Sequence, residues 1–462
     1  MRWREVSGMV VQTRQATRAG HARILWSSCL AMLAVGANGT AIMAALPSMR
    51  AELLLSSAGV EWAINAYLVV SAASIVLGGQ AADRFGAIKA SIVGSVLFGI
   101  ASCIIAVADT QTMLLAGRAL QGLGAALAVP STLAAVGIGA SPEQRTAAMA
   151  AWTGFLMLGF SIGPLIGGAL THLTGWRVIF WINALFMSAA ILGLVFAFSA
   201  TTRAPGAPGR RTDWIGFVLL AIFMVSLVFG LHALPHVRAT PLSALGPFAL
   251  ATAAFFLLLR MEARLEAPLV DPDFFARRGF AMGLAIGSLS MFSILSLLLY
   301  FNLFAQSHEG LGLTALQAGV SLLPLSAALL VLSLSASAVA RRLGTRKAIT
   351  SGMALVAIAS GVIGVGVTGG EMVLLAIGLF LMGGGLAVPY ALAPRLALAA
   401  LSPTQAGQGS GIINACTFLG GSAGVAGGAT AFALGGFVDV LAMIALAAII
   451  GAVLSRGIAE TA

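Results

Sequence analysis

The stretch AADRFGAIKA, residues 81 to 90, sets an acid, two bases and a glycine between two long apolar runs. Its pattern returns without gaps as VARRLGTRKA at residues 339 to 348, sharing Ala, Arg, Gly, Lys and Ala at an offset of 258. Two more echoes lie at nearly that distance. LAVP at 127 to 130 recurs at 386 to 389, an offset of 259, and glycines 159, 163 and 167 recur as 420, 424 and 428, an offset of 261. A chain that repeats itself in one direction over half its length is built from two like halves.

Outward from that loop the chain is nearly uncharged. Of its 462 residues 59% are hydrophobic and 9% charged, too few charges to cover a soluble surface of this size. Apolar runs of roughly 18 to 25 residues recur throughout, each long enough to cross a hydrocarbon core of about 30 Å as a helix. Barrel strands would be shorter and would alternate. The expectation is an all-α membrane protein with 14 transmembrane helices, near 24–47, 58–78, 88–108, 111–138, 146–171 and 176–199, then 213–234 and 242–260, then 280–305, 315–340, 348–368, 371–400, 405–432 and 436–455. These form two pseudo-symmetric six-helix bundles plus an inserted helix pair. The corresponding divisions are a cytoplasmic tail 1–23, a first bundle 24–199, a linker with two extra helices and a cytoplasmic loop 200–279, a second bundle 280–456 and a tail 457–462.

The formal charge is +10, but the basic residues sit in short loops between apolar runs and not on one soluble module, so no nucleic-acid partner is expected. With the N-terminus inside, 21 of the 25 Lys and Arg residues face the cytoplasm, while Arg50, Arg177 and Arg238 lie outside. Arg118 alone falls within the membrane. Cys29, Cys103 and Cys416 lie in apolar segments with no ligand spacing, so neither a disulfide nor a metal is expected. The apolar run after residue 23 has no cleavage pattern and should stay as the first helix, whichever of Met1 and Met9 starts the chain.

Three motifs carry chemistry. In GGQAADRFGAIKA (78 to 90) Gly86 permits a tight turn, and Asp83, Arg84 and Lys89 stand where charges of the two halves could pair in one conformation and part in another; the alternative is a solvated loop that only enforces topology. GFSIGPLIGG (159 to 168) places Gly159, Gly163 and Gly167 on one helix face, with Pro164 to bend it and Gly168 beside them; close helix packing or a cavity-sealing kink would each account for it. LLAGRALQGLGAALAVP (114 to 130) buries Arg118 about seven residues, or roughly 10 Å, into the fourth helix. A guanidinium there costs at least about 2.5 kcal/mol unless it meets water or a partner. It therefore either points into a cavity or is tied to helix carbonyls or Gln121. At the LAVP offset its counterpart is Ile377, so the repeat does not require a charge at this place.

Together these stretches resemble the major facilitator superfamily, and within it the fourteen-helix drug:proton antiporter branch of the EmrB/QacA type. Gly79 to Lys89 is similar to the superfamily's G-x-L-A-D-R-x-G-R-K loop, with Ala81 for Leu, Ala87 and Ile88 at the two basic positions, and Lys89 one place late. RALQGLGAA from Arg118 resembles the fourth-helix R-x-x-Q-G motif, and residues 159 to 168 the fifth-helix antiporter motif. EWAINAYLV (61 to 69), PLVDPDFFARRGF (268 to 280), ALQAGVSLLP (315 to 324) and AGQGSGIIN (406 to 414) are similar to further stretches of the branch. The resemblance implies proton-coupled efflux of a small amphipathic molecule from the bacterial inner membrane, by a monomer with no cofactor. Its partners would be the substrate, protons and the lipid bilayer; no accessory efflux protein can be read from the chain.

Two positions depart from the branch. Asn38 in NGTAIMAALP stands where an Asp is usual, and NACTFLGG offers Thr417 where an Arg is common. Both remove charge from the interior, which favours neutral or weakly acidic substrates and puts the usual proton relay in question. The cavity and coupling set is then Arg118, Gln121, Asn38, Glu61 and Tyr67. Glu61, beside Trp62 at the outer end of the second helix, leads the candidates for holding a proton, ahead of Asp83 and Asp439; its alternative is an interfacial charge in water. Enzyme chemistry is not expected: the histidines are scattered, H-E-x-x-H does not occur, and GVGVTG at 364 to 369 follows no strand. No P-loop is present to drive a pump. A membrane receptor or scaffold, or a carrier without proton coupling, is the rival class, which a transport assay separates.

Overall fold

The computed structural model describes residues 2–138, 142–200, 214–234, 240–265, 271–402 and 405–458. Among them the regular elements are helices: α1 (Arg2–Leu53), α2 (Ser57–Phe85), α3 (Ala87–Ala106), α4 (Gln111–Ala135), α5 (Pro142–Thr174), α6 (Arg177–Ala200), α7 (Trp214–Ala233), α8 (Pro241–Glu262), α9 (Asp273–Ala276), α10 (Arg278–Gln306), α11 (Ala315–Ser321), α12 (Leu323–Leu343), α13 (Thr345–Gly369), α14 (Met372–Ala399) and α15 (Ala406–Ser455). Their starts follow local chemistry. Ser56 and Thr110 turn side-chain oxygens onto Gly59 N and Met113 N, and Thr314 with Gln317 closes a capping box at α11.

Among the described residues 13 stretches are long and apolar enough to span a bilayer. The expected 14 become 13 because the last two are continuous as Gln408–Ser455, 48 residues. At 1.5 Å per residue such a rod would be about 70 Å long, over twice a hydrocarbon core. It is bent: Gly435 and Gly436 leave helical geometry, and Gly436 takes φ 72°, ψ −153°, a region essentially reserved for glycine. Gly427 meets Met443 across the bend, as the arms of a hairpin do, so two crossings stand.

The single helix expected at 315–340 is broken into α11 and α12 at Leu322. Pro324 lacks an N–H and its ring excludes the carbonyl four residues back, so the helical ladder cannot run through. Leu322 N reaches Gly319 O instead, at 3.3 Å. At the other end of the chain α1 begins at Arg2, well ahead of the expected residue 24.

The repeat is visible as geometry. Gly86 and Gly344 hold φ 92°, ψ 137° and φ 81°, ψ 148°, each ending one helix and opening the next. Gly159, Gly163 and Gly167 press α5 onto α1 at Leu33, Thr40 and Ala41. Gly420, Gly424 and Gly428 press α15 onto α10 at Ser288, Phe292 and Tyr300 in the same way. At α4 and α14 the packing register differs from the LAVP offset. Gly117 meets Ile105 as Gly378 meets Ile363, and Gly122 meets the Tyr67 carbonyl as Gly383 meets that of Leu325. The offset there is 261, so the counterpart of Arg118 is Leu379, fully buried, and not Ile377, which is 49% exposed. Packing aligns on the glycines because they fix how closely helices approach, whereas LAVP is a composition match.

The inserted α7 and α8 pack on each other, and α7 lies against both α2 and α15, one from each half. The halves also meet directly. Ser422 Oγ donates to Asn65 Oδ1 at 2.8 Å and Gln306 Nε2 donates to Ala44 O at 3.0 Å, while Gly168 abuts Ala315 and Gly319 abuts Pro164. Gln306 ends α10 and Ala315 begins α11, at the end of the molecule opposite the Gly86 and Gly344 turns.

Candidate functional site

Arg118 is 1% exposed, with its guanidinium 4.5 Å above the Tyr67 ring. Nε donates to Ala63 O at 2.7 Å, and Nη1 donates to Gln121 Oε1 at 2.6 Å. Gln121 Nε2 in turn donates to Ser102 Oγ at 2.9 Å. Asn38 Nδ2 donates to Gln121 Oε1 at 3.3 Å, and Asn183 Nδ2 donates to Asn38 Oδ1 at 2.9 Å. The network therefore draws α1, α2, α3, α4 and α6 of the first half together around one cation. It contains no carboxylate.

Of the two orientations open to Arg118, the structure shows it bound to a helix carbonyl and Gln121, inside the first half and not free in a cavity between halves. A planar guanidinium suits this place, since it gives separate N–H groups to separate acceptors while its face rests on an aromatic ring. Arg118 and Gln121 came to notice from their place in an apolar helix, and Asn38 from the family resemblance. Ser102, Asn183 and the Ala63 carbonyl escaped it, because a serine or asparagine in an apolar helix gives no sign of what it faces until the helices are packed.

Glu61 is not an isolated interfacial charge. It is buried, and its Oε2 lies 2.6 Å from Nδ1 of His232 on α7. Trp62 packs beside it against Phe229, with ring centroids 4.5 Å apart and tilted, and meets the His232 ring edge-on at 6.2 Å. One turn along, Asn65 is 1% exposed, accepts from Ser422 of the other half, and leaves Nδ2 without a partner. Neither His232, Asn65 nor Ser422 stood out in the sequence, although Asn65 lies inside the EWAINAYLV stretch.

The other candidates are spread along the same helices. Asp83, Arg84 and Lys89 are exposed at the Gly86 turn, where Arg84 lies over the Phe85 ring at 5.4 Å and Lys89 over that of Phe198 at 5.6 Å. Gly79 faces open space. Pro164 and Gly168 lie where α5 touches α11 of the second half, so the antiporter-like segment packs on α1 with one face and on the other half with another. Asp439 turns back on Gly435 at the bend of α15. Among the described residues no group of three His, Cys, Asp or Glu could hold a metal.

A profile of the Major Facilitator Superfamily matches residues 28–425. The chain is 31% identical over 308 residues to the methylenomycin A resistance protein of Bacillus subtilis (strain 168), an alignment covering 66% of this chain and 65% of that protein. It is 29% identical to the tetracenomycin C resistance and export protein of Streptomyces glaucescens over 87% of this chain and 74% of the other. Among solved structures it is similar to an auto-inhibited POT family peptide transporter, with TM-score 0.68 and 18% identity over 96% of this chain and 98% of the other, a likeness of fold.

Proposed function

The chain belongs to the Major Facilitator Superfamily, and from that premise we propose that it is a secondary efflux transporter. It exports neutral or weakly acidic amphipathic molecules by alternating access, in exchange for protons. Export is supported by relatives named for antibiotic resistance and export. The substrate class rests on one observation: the buried network around Arg118 holds a cation and three amides and no acid. Around Arg118 the potential is neutral to positive, which disfavours a permanent cation there. The substrate passes between the halves, along the seam where Asn65 meets Ser422, and Arg118 with Tyr67 holds the wall of that path in shape. The basic turns at Gly86 and Gly344 face the cytoplasm of a bacterial cell, as do both termini, and the protein works as a monomer.

The test uses inverted membrane vesicles and an imposed pH gradient. Chloramphenicol (neutral), salicylate (a weak acid) and ethidium (a permanent cation) are followed as probes. Accumulation of either of the first two above that of ethidium is expected. Preference for ethidium would defeat the substrate class, and accumulation indifferent to the gradient would leave a carrier without proton exchange.

A further inference from the structure

Glu61 and His232 are brought together by the fold alone, across 171 residues of sequence. The carboxylate sits near the start of α2 in the first half, and the imidazole near the end of the inserted α7. Their side chains keep 11% and 23% of their surface, so the pair is mostly but not wholly enclosed. The rings of Trp62 and Phe229 pack beside it, 4.5 Å apart and tilted by 41°. From α10 of the second half comes Tyr300, whose hydroxyl is already committed to Val425 O at 2.7 Å. α4 brings Arg118, whose partners are Ala63, Gln121 and Tyr67, and α15 brings the hydroxyl of Ser422 to Asn65. Among the described residues His232 is therefore the base that faces Glu61.

We propose that Glu61 and His232 together bind the exchanged proton, so that the inserted helix α7 is a working part of coupling and not a spacer. With neutral imidazole the pair carries one negative charge. One proton taken from the water on that side makes it imidazolium and carboxylate, neutral as a unit. Release of the same proton to the other side restores the first state, and no other reactant is needed. The pair stands where α2 and α7 meet next to the seam between halves, so its charge bears on whether those helices stay together when the halves move. A membrane-buried carboxylate and imidazole are the usual materials of a proton relay. The first-helix acid that Asn38 replaces is not required for it.

This presupposes that the protein exchanges protons for its substrate, and the experiment separates the two ideas. Purified protein in liposomes is compared with Glu61→Gln, His232→Gln and the exchanged pair Glu61→His with His232→Glu. One measurement uses no substrate: proton uptake by the detergent-solubilised protein on acid pulses between about pH 5 and pH 8, where imidazole titrates. His232→Gln should lose this uptake, Glu61→Gln should move it to lower pH, and the exchanged pair should restore it. The second follows chloramphenicol. Accumulation driven by a pH gradient should fall in the single variants by about tenfold, the scale of coupling between two sites. Counterflow, which needs no proton, should survive. Unchanged proton uptake and unchanged driven accumulation in both variants would overturn the proposal. So would loss of counterflow in the single variants and the exchanged pair alike, since the pair would then be structural. Counterflow without driven accumulation in the unmodified protein would defeat proton exchange itself, whatever the variants do.

Discussion

Arg118 poses a sharp question at the scale of a single residue, because its hydrogen bonds are well made and its burial is complete. A buried charge is expensive to desolvate, but removing it alone takes the donor from Ala63 O and Gln121 Oε1, at a cost of about 1–3 kcal/mol for a buried acceptor left unsatisfied. Arg118→Met should therefore lower the melting temperature in detergent modestly while abolishing transport. Arg118→Lys should restore little, since one ammonium cannot supply Ala63 O and Gln121 Oε1 while lying flat on Tyr67. Full transport by the methionine variant, at matched membrane expression, would make Arg118 a structural residue only. Asn38 permits a converse experiment. An Asp there would place a carboxylate beside Gln121 and Asn183, 3.3 Å and 2.9 Å from the present amide contacts. Asn38→Asp should shift preference toward ethidium over chloramphenicol; an unchanged ratio of the two initial rates would remove the electrostatic basis for the substrate class.

Between elements, the glycines of α5 set the spacing. A β-carbon on Gly163 would collide with Thr40 and the Ala37 carbonyl of α1, while one on Gly154 of the same helix meets nothing within 4 Å. Gly163→Val should cost about 1–3 kcal/mol from overpacking and lower the melting temperature. Gly154→Ala should hold or raise it, since alanine favours a helix by up to about 1 kcal/mol over glycine. Equal effects of the two changes would count against α1–α5 contact as the reason for the motif. The same logic explains the breaks. Pro324 parts α11 from α12 and Gly436 bends α15, in each case because the residue removes or permits one backbone conformation.

For the whole molecule the Asn65–Ser422 contact is a place where the halves must part if access alternates. In a chain with Cys29, Cys103 and Cys416 changed to Ala, Asn65→Cys and Ser422→Cys can be joined by a reducible bifunctional thiosulfonate. Counterflow should drop by about tenfold or more on cross-linking, as for other gated carriers and enzymes whose turnover needs the motion, and return when the link is reduced. Full activity in the linked form would mean that the path lies elsewhere than along the α2–α15 seam.

Hydropathy over bilayer-length windows is a local property, so the sequence alone determined the membrane helices, the two halves and the turns at Gly86 and Gly344, where one residue type is needed for one backbone geometry. It also placed two crossings, at 405–432 and 436–455, where α15 runs on as one helical stretch bent at Gly435 and Gly436. It also singled out Arg118 and Glu61, because a charge in or beside an apolar run is conspicuous, and the family resemblance added Gln121 and Asn38. What each of them touches was decided by packing. Arg118 finds Ala63 across 55 residues, Glu61 finds His232 across 171, and Asn65 finds Ser422 across 357. No local signal encodes such pairs, since any serine, asparagine or histidine on a helix can face lipid, a neighbour or the other half. Only the close approach of helices, set at their glycines, selects among these.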